Sequence, residues 1–359
     1  MKGIFAKIYA WLLLVCMLAG LGMVAAFAWP NVPDLIQSVV GAAAAFVLAP
    51  AFHELGHVIF ATANSLQTVY CKFFCFRFYR RDGKCRFGFT NPFAPDETQV
   101  LPMGSEDMKE RAHAYAVGGL AVEGAFLLVL ITACVVCWCL GATAYIAVAM
   151  LPYTAYHFLL NLLPVEYPSG KTDALVASGL KKGAPTEQTM LNIMRIHGEL
   201  QAGKTYAEMD ESWYFSAPQL AEDEPLFVAI LDARYCYYLE KEEYEKAFDC
   251  LKRIRSAGEY LSEQEILTLE RNLAYLCLVG GNDEVLKAAV KNGEEYWQSD
   301  DASIKRTLAL YMQKCGETDR AQALIEQAKA LLEKESIVGI RRHEELLLFR
   351  ITKEDDKAV

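Results

Sequence analysis

Histidine is scarce in this chain, with six in 359 residues, and no basic stripe runs through it. Lys and Arg number 35 against 45 Asp and Glu, for a net charge of −10. That balance argues against nucleic acid as a partner, because nothing is arranged to neutralise phosphates along a groove. A disulfide framework is missing too. The eleven cysteines are odd in number and scattered, and several fall inside apolar runs. Such usage suits a reducing compartment for the soluble parts. Charge is unevenly shared as well. Through Leu180, basic and acidic residues balance at eleven each, so the whole net charge belongs to the remainder.

What is present is a set of long apolar runs. The first, from about Ile8 to Trp29, follows Lys2 and Lys7 and is closed by Pro30. It is longer than a signal-peptide core, and no small-x-small cleavage site follows, so a retained membrane helix is expected. A second runs from Leu35 to about Ala63, a third from about Ala116 to Leu140, and a fourth from about Ala142 to Leu163. The stretch Gly41-Ala42-Ala43-Ala44-Ala45 would let a neighbouring helix approach closely. Lys72, Arg77, Arg80, Arg81, Lys84, Arg86, Lys109 and Arg111 lie between the second and third runs, whereas 30–34 and the surroundings of Gly141 hold no Lys or Arg. The positive-inside rule then places the N-terminus, the 64–112 loop and everything after Leu163 in the cytoplasm of a multi-pass protein of the cell membrane.

The second run carries His53-Glu54-Leu55-Gly56-His57. On a helix the two histidines sit one turn apart on one face, so both imidazoles can reach one Zn²⁺. Glu54 is placed to take a proton from zinc-activated water. Polar residues of this kind within a membrane-length helix are costly to keep without a use. A catalytic zinc needs a third protein ligand, and four candidates stand out: Asp173, Glu166, Glu123 and His157. Pro164 and Pro168 would break the chain after the fourth run and let Asp173 or Glu166 turn back toward the site. Glu123 and His157 lie within the third and fourth runs.

His53-Glu54-Leu55-Gly56-His57 on a membrane helix, with Asn161-Leu162-Leu163-Pro164 followed by an aspartate, resembles the site-2 protease family of intramembrane zinc metalloproteases. The resemblance covers about residues 35–175. It implies that His53, His57 and Asp173 bind zinc, that Glu54 is the catalytic base, and that Asn161 helps hold the substrate backbone or the oxyanion. Ala174 stands where the family usually has glycine, and Asp173 falls later than in the plainest members. Gly170-Lys171-Thr172-Asp173 fits a longer version of the motif. Gly118-Gly119-Leu120-Ala121-Val122-Glu123 matches only loosely the family's Gly-Pro-x-x-Asn stretch, which leaves Glu123 as a candidate outer partner of the metal.

Two further segments complete the expectations. Lys72–Phe78 and Lys84–Phe89 flank Arg81-Asp82-Gly83 and read as a β-hairpin, whose edge would present a strand for an extended substrate. Cys71, Cys75 and Cys85 contain no C-x-x-C pair and read as buried thiols. After residue 225, helix pairs recur: Phe227–Leu239 with Glu243–Ser256, Glu263–Val279 with Glu284–Trp297, and Ser303–Cys315 with Asp319–Lys334. Ala247, Ala288 and Ala321 fall in the second helices, and Gly280-Gly281-Asn282 and Gly316-Glu317-Thr318 mark turns. The expected architecture is mainly α. It comprises a polytopic membrane bundle of about four helices (1–180) with a small cytoplasmic hairpin, a helical connector (181–224), and a cytoplasmic tetratricopeptide-like domain (225–359). The expected activity is zinc-dependent cleavage of membrane-embedded protein or peptide substrates, with the lipid bilayer as surroundings and a protein partner on the C-terminal helices. The competing expectation is a membrane-anchored repeat scaffold whose metal site is vestigial.

Overall fold

The computed structural model describes residues 2–81, 84–167, 170–280 and 301–355. The expected turn at Asp82-Gly83, Pro168, the helix Glu284–Trp297 with Ala288, and Gly281-Asn282 lie outside the described residues. The chain forms two compact units, residues 1–102 with 107–187, and residues 103–106 with 188–359. The division therefore falls at the start of the region expected to act as a connector.

In the first unit, each apolar run becomes one helix. These are α1 (Lys2–Ala28), α2 (Val32–Ala63), α3 (Met108–Cys139) and α4 (Tyr145–Leu162). Three of them, α1 over Ile4–Ala28, α2 and α3, are long and apolar enough to cross a membrane. Among the described residues the fourth run does not join them. α4 has 18 residues, and Pro152, Tyr153, Thr154, Tyr156, His157 and Asn161 dilute its apolar character. The small-residue stretch of α2 does admit a neighbour, and that neighbour is α4. A Cβ on Gly41 would run into the backbone of Ile146, and Ala45, Leu130 and Met150 meet in a buried cluster joining α2, α3 and α4.

Between α2 and α3 the expected hairpin is a four-stranded antiparallel sheet. It comprises β1 (Leu66–Phe73), β2 (Phe76–Arg81), β3 (Lys84–Phe89) and β4 (Glu97–Pro102), ordered β3-β2-β1-β4. The strand expected over Lys72–Phe78 is cut in two because Phe74 takes a left-handed conformation, φ 52°. The chain reverses there, and Phe73 pairs with Phe76. The terminal strand on the α2 side is β4, a segment the hydrophobic pattern did not mark.

α4 stops where Pro164 forces the preceding Leu163 into an extended conformation, ψ 139°. The chain then makes a two-stranded turn, β5 (Glu166–Tyr167) with β6 (Gly170–Lys171), and enters α5 (Asp173–Lys182). Thr172 closes the excursion. Its hydroxyl donates to the Leu163 carbonyl at 2.7 Å and caps α5 by accepting from the Leu175 N–H at 3.3 Å. The first residue of α5 is thereby tied to the end of α4.

The regular elements described in the second unit are all helices. The unit continues α6 (Pro185–Gln201) into α7 (Ser212–Phe215), α8 (Pro225–Glu240), α9 (Tyr244–Ser256), α10 (Glu263–Val279), α11 (Ala302–Lys314), α12 (Thr318–Leu332) and α13 (Val338–Asp355). α8 packs on α9 and α11 on α12. Each pair is joined by a short turn with one left-handed residue, Glu242 (φ 59°) and Gly316 (φ 78°). The fully buried Ala247 and Ala321 follow those residues at the same offset. α13 was not anticipated from the sequence.

Candidate metal centre

His53, Glu54 and His57 lie on α2 and are all buried, each about 5% exposed or less. α3 makes this face possible by coming unusually close. A Cβ on Gly56 would strike the Gly118 carbonyl, and one on Gly119 would lie 2.6 Å from His57 Nε2 and 2.8 Å from His53 Cε1. Gly119 is therefore a gap in α3 that the two imidazoles fill, and Gly118 makes room for Gly56 and Phe60. Gly119→Ala should push the rings off their positions at a cost of about 1–3 kcal/mol of overpacking. A fall in bound zinc in a protein that still folds would show it, and unchanged zinc binding would contradict it.

Hydrogen bonds fix which ring nitrogens face inward. His57 Nδ1 donates to the Tyr115 carbonyl at 2.9 Å, and a carbonyl can only accept. His53 Nδ1 donates to the Glu123 carboxylate at 2.9 Å. With both Nδ1 atoms protonated, both Nε2 atoms present lone pairs. They point at one another across 3.2 Å. The carboxylate of Asp173 completes the triangle, with Oδ2 2.9 Å from His53 Nε2 and 3.2 Å from His57 Nε2. That oxygen is buried and receives no hydrogen bond from another donor.

Three lone pairs meeting in a buried space repel unless a cation or protons lie among them. Tetrahedral zinc, with bonds of about 2.0–2.1 Å, sets its ligand atoms about 3.3 Å apart, so the observed separations suit it. The residues present fit a divalent ion.

The other candidates fall elsewhere. Glu166 is exposed on β5, where it lines a cavity of about 650 Å³ together with Lys171 and Glu187. Glu123 and His157 form a pair behind the triangle, His157 Nδ1 donating to Glu123 Oε1 at 2.7 Å. Asn161 is half-buried on the last turn of α4, and its amide is directed at the His157 carbonyl of its own helix, 3.5 Å away. Among the described residues no group able to hold a metal includes a cysteine. Cys71 is buried, Cys75 half-buried and Cys85 exposed, and none is in a disulfide. Of the three, only Cys71 matches the expectation of a buried thiol.

No protein-family model, curated protein or solved structure matches the chain.

Two residues of the site carry no sequence signal. Thr98, on β4, donates its hydroxyl to Glu54 Oε2 at 2.5 Å. Tyr115, one turn before the glycine gap, donates its hydroxyl to the Thr98 carbonyl while its own carbonyl holds His57. Thr98 and Tyr115 thus link the terminal strand of the sheet to both the carboxylate and a histidine of α2.

Proposed function

We propose that this chain is an intramembrane zinc metallopeptidase that hydrolyses peptide bonds in or near membrane-spanning segments, with Glu54 as general base. The observation that carries the reading is the convergence of His53, His57 and Asp173 at zinc-like separations beside a buried Glu54. Two imidazoles and one carboxylate leave a fourth tetrahedral position open, which is the pattern of catalytic rather than structural zinc. When bound, the metal would acidify water and polarise the carbonyl under attack.

The chain's own residues supply the rest. Glu54 takes the proton from the attacking water and returns it to the leaving amine. Thr98 fixes the carboxylate through Oε2. β4 pairs with β1 on one side, and among the described residues no strand covers its other side. A substrate unwound from its helix and added there as a strand would be held by its backbone next to Glu54. Asn161 would join it by turning its amide away from the His157 carbonyl.

In this reading α4, shorter and less apolar than the other three, crosses the cell membrane by packing against α1, α2 and α3, which places both termini in the cytoplasm and makes the bilayer the surroundings of substrate and enzyme alike. The second unit would be a tetratricopeptide-like array that binds a protein partner or a substrate tail. The matched turns and buried alanines of the α8–α9 and α11–α12 pairs support it. Deleting residues 221–359 should then alter substrate choice or turnover, and a truncated chain with native selectivity and rate would remove that role.

The test of the activity is a comparison of membrane proteomes from cells carrying the native chain or Glu54→Gln. A full-length membrane protein should accumulate in the variant. If none does and the variant supports every function of the native chain, a scaffold with a vestigial metal site is the better description.

A further inference from the structure

We propose that Glu123 and His157 are positioning residues that hold His53 as a metal ligand and set the affinity of the centre for zinc. The proposal rests on the metal centre described above and adds to it a relay of three side chains, one from each of α2, α3 and α4.

Glu123 is 0% exposed. A carboxylate in such a place is costly unless both oxygens are satisfied, and here each has its own partner. Oε2 accepts from His53 Nδ1 at 2.9 Å and Oε1 from His157 Nδ1 at 2.7 Å. The His53 and His157 rings stand edge to face, with centroids 5.4 Å apart. Anchored at Nδ1, the His53 ring cannot turn, and its Nε2 lone pair stays aimed at Asp173. A carboxylate on the far nitrogen also makes the ligating nitrogen more basic.

The two motif histidines are therefore unlike. His57 leans on a neutral backbone carbonyl, that of Tyr115, whereas His53 leans on a buried charge. Charge balance gives that difference its consequence. A divalent cation held by Asp173 and two neutral imidazoles leaves one net positive charge on the ligand set, which the carboxylates of Glu54 and, through His53, of Glu123 both offset. Removing Glu123 costs the centre both an orienting bond and one of these compensating charges. His157 acts one step further out, keeping Glu123 turned toward His53.

The same three residues suggest a rival arrangement, a second ion among His53, Glu123 and His157. It would require His53 to bridge two metals through both ring nitrogens. The use of a separate Glu123 oxygen for each ring is instead the pattern of two hydrogen bonds.

The experiment uses the full chain in detergent, measuring zinc per chain, zinc affinity by chelator competition, and the visible spectrum of the cobalt-substituted protein. The native chain should hold one ion. Glu123→Gln removes the charge and replaces one accepting oxygen by a donating NH2, and should weaken zinc about 10–100-fold and shift the cobalt bands. His157→Phe should change both in the same direction by less, and in each variant the loss of zinc affinity should exceed any loss of metal-free stability. Should Glu123→Ala fail to fold, these two variants still decide the matter. Native affinity and a native cobalt spectrum in both would overturn the relay, as would two ions per native chain. A loss of zinc matched by an equal loss of metal-free stability would reduce Glu123 to a structural role and overturn it too. A native chain that binds no zinc would instead bring down the metal centre itself, an outcome distinct from all of these.

Discussion

Asp173→Ala should strip the centre of zinc while leaving both histidines in place. Asp173 supplies the only carboxylate of the triangle, and its Oδ2 touches both ring nitrogens. Its loss removes a ligand and the one negative charge among the three ligand atoms. The fall in affinity should exceed the 10–100-fold expected when only an outer partner is lost. Metal analysis after dialysis against a weak chelator would read the effect. Fold should survive, because Asp173 opens α5 at the margin of the bundle and Thr172, not Asp173, caps that helix. A variant that keeps zinc as tightly as the native chain would assign the third ligand elsewhere.

Glu54→Gln should do the reverse, keeping the metal and losing the reaction. Glu54 lies outside the triangle of ligand atoms, so its amide counterpart has no reason to release zinc. An amide cannot accept the proton of the attacking water, and general-base assistance is worth about 10²–10⁴ in rate. Turnover of a membrane-embedded substrate by the purified variant should fall by that factor. Thr98 can still donate to the amide oxygen, so the side chain should stay in place. Retained turnover in a zinc-loaded Glu54→Gln protein would remove Glu54 from the chemistry.

Much of the site was legible because its core is local. The spacing of His53 and His57 follows from helical periodicity alone, and a polar trio in an apolar run stands out against its surroundings. Asp173 was one of four candidates that only the resemblance separated, since its approach depends on Leu163, Pro164 and the Thr172 hydrogen bonds that fold the segment back. Glu123 and His157 could be picked out as polar residues in apolar helices. Which of them would ligate and which would stand behind a ligand depended on how α2, α3 and α4 pack. Thr98 and Tyr115 gave no signal, because a threonine in a short strand and a tyrosine on a helix acquire meaning only from their neighbours. The sheet shows the same limit. Phe74 adopts a left-handed backbone that its side chain does nothing to advertise, so one expected strand became two. That α4 is less apolar than a membrane span has a simpler origin, in that tyrosines, Pro152, His157 and Asn161 lie within an otherwise apolar run.

The central claim is that two imidazoles and a carboxylate share one zinc ion within the first unit. Zinc K-edge X-ray absorption of the purified native chain tests it most directly. The account predicts a nitrogen and oxygen shell at about 2.0–2.1 Å with the multiple scattering of two imidazoles. A sulfur shell near 2.3 Å, or no stoichiometric zinc at all, would contradict it.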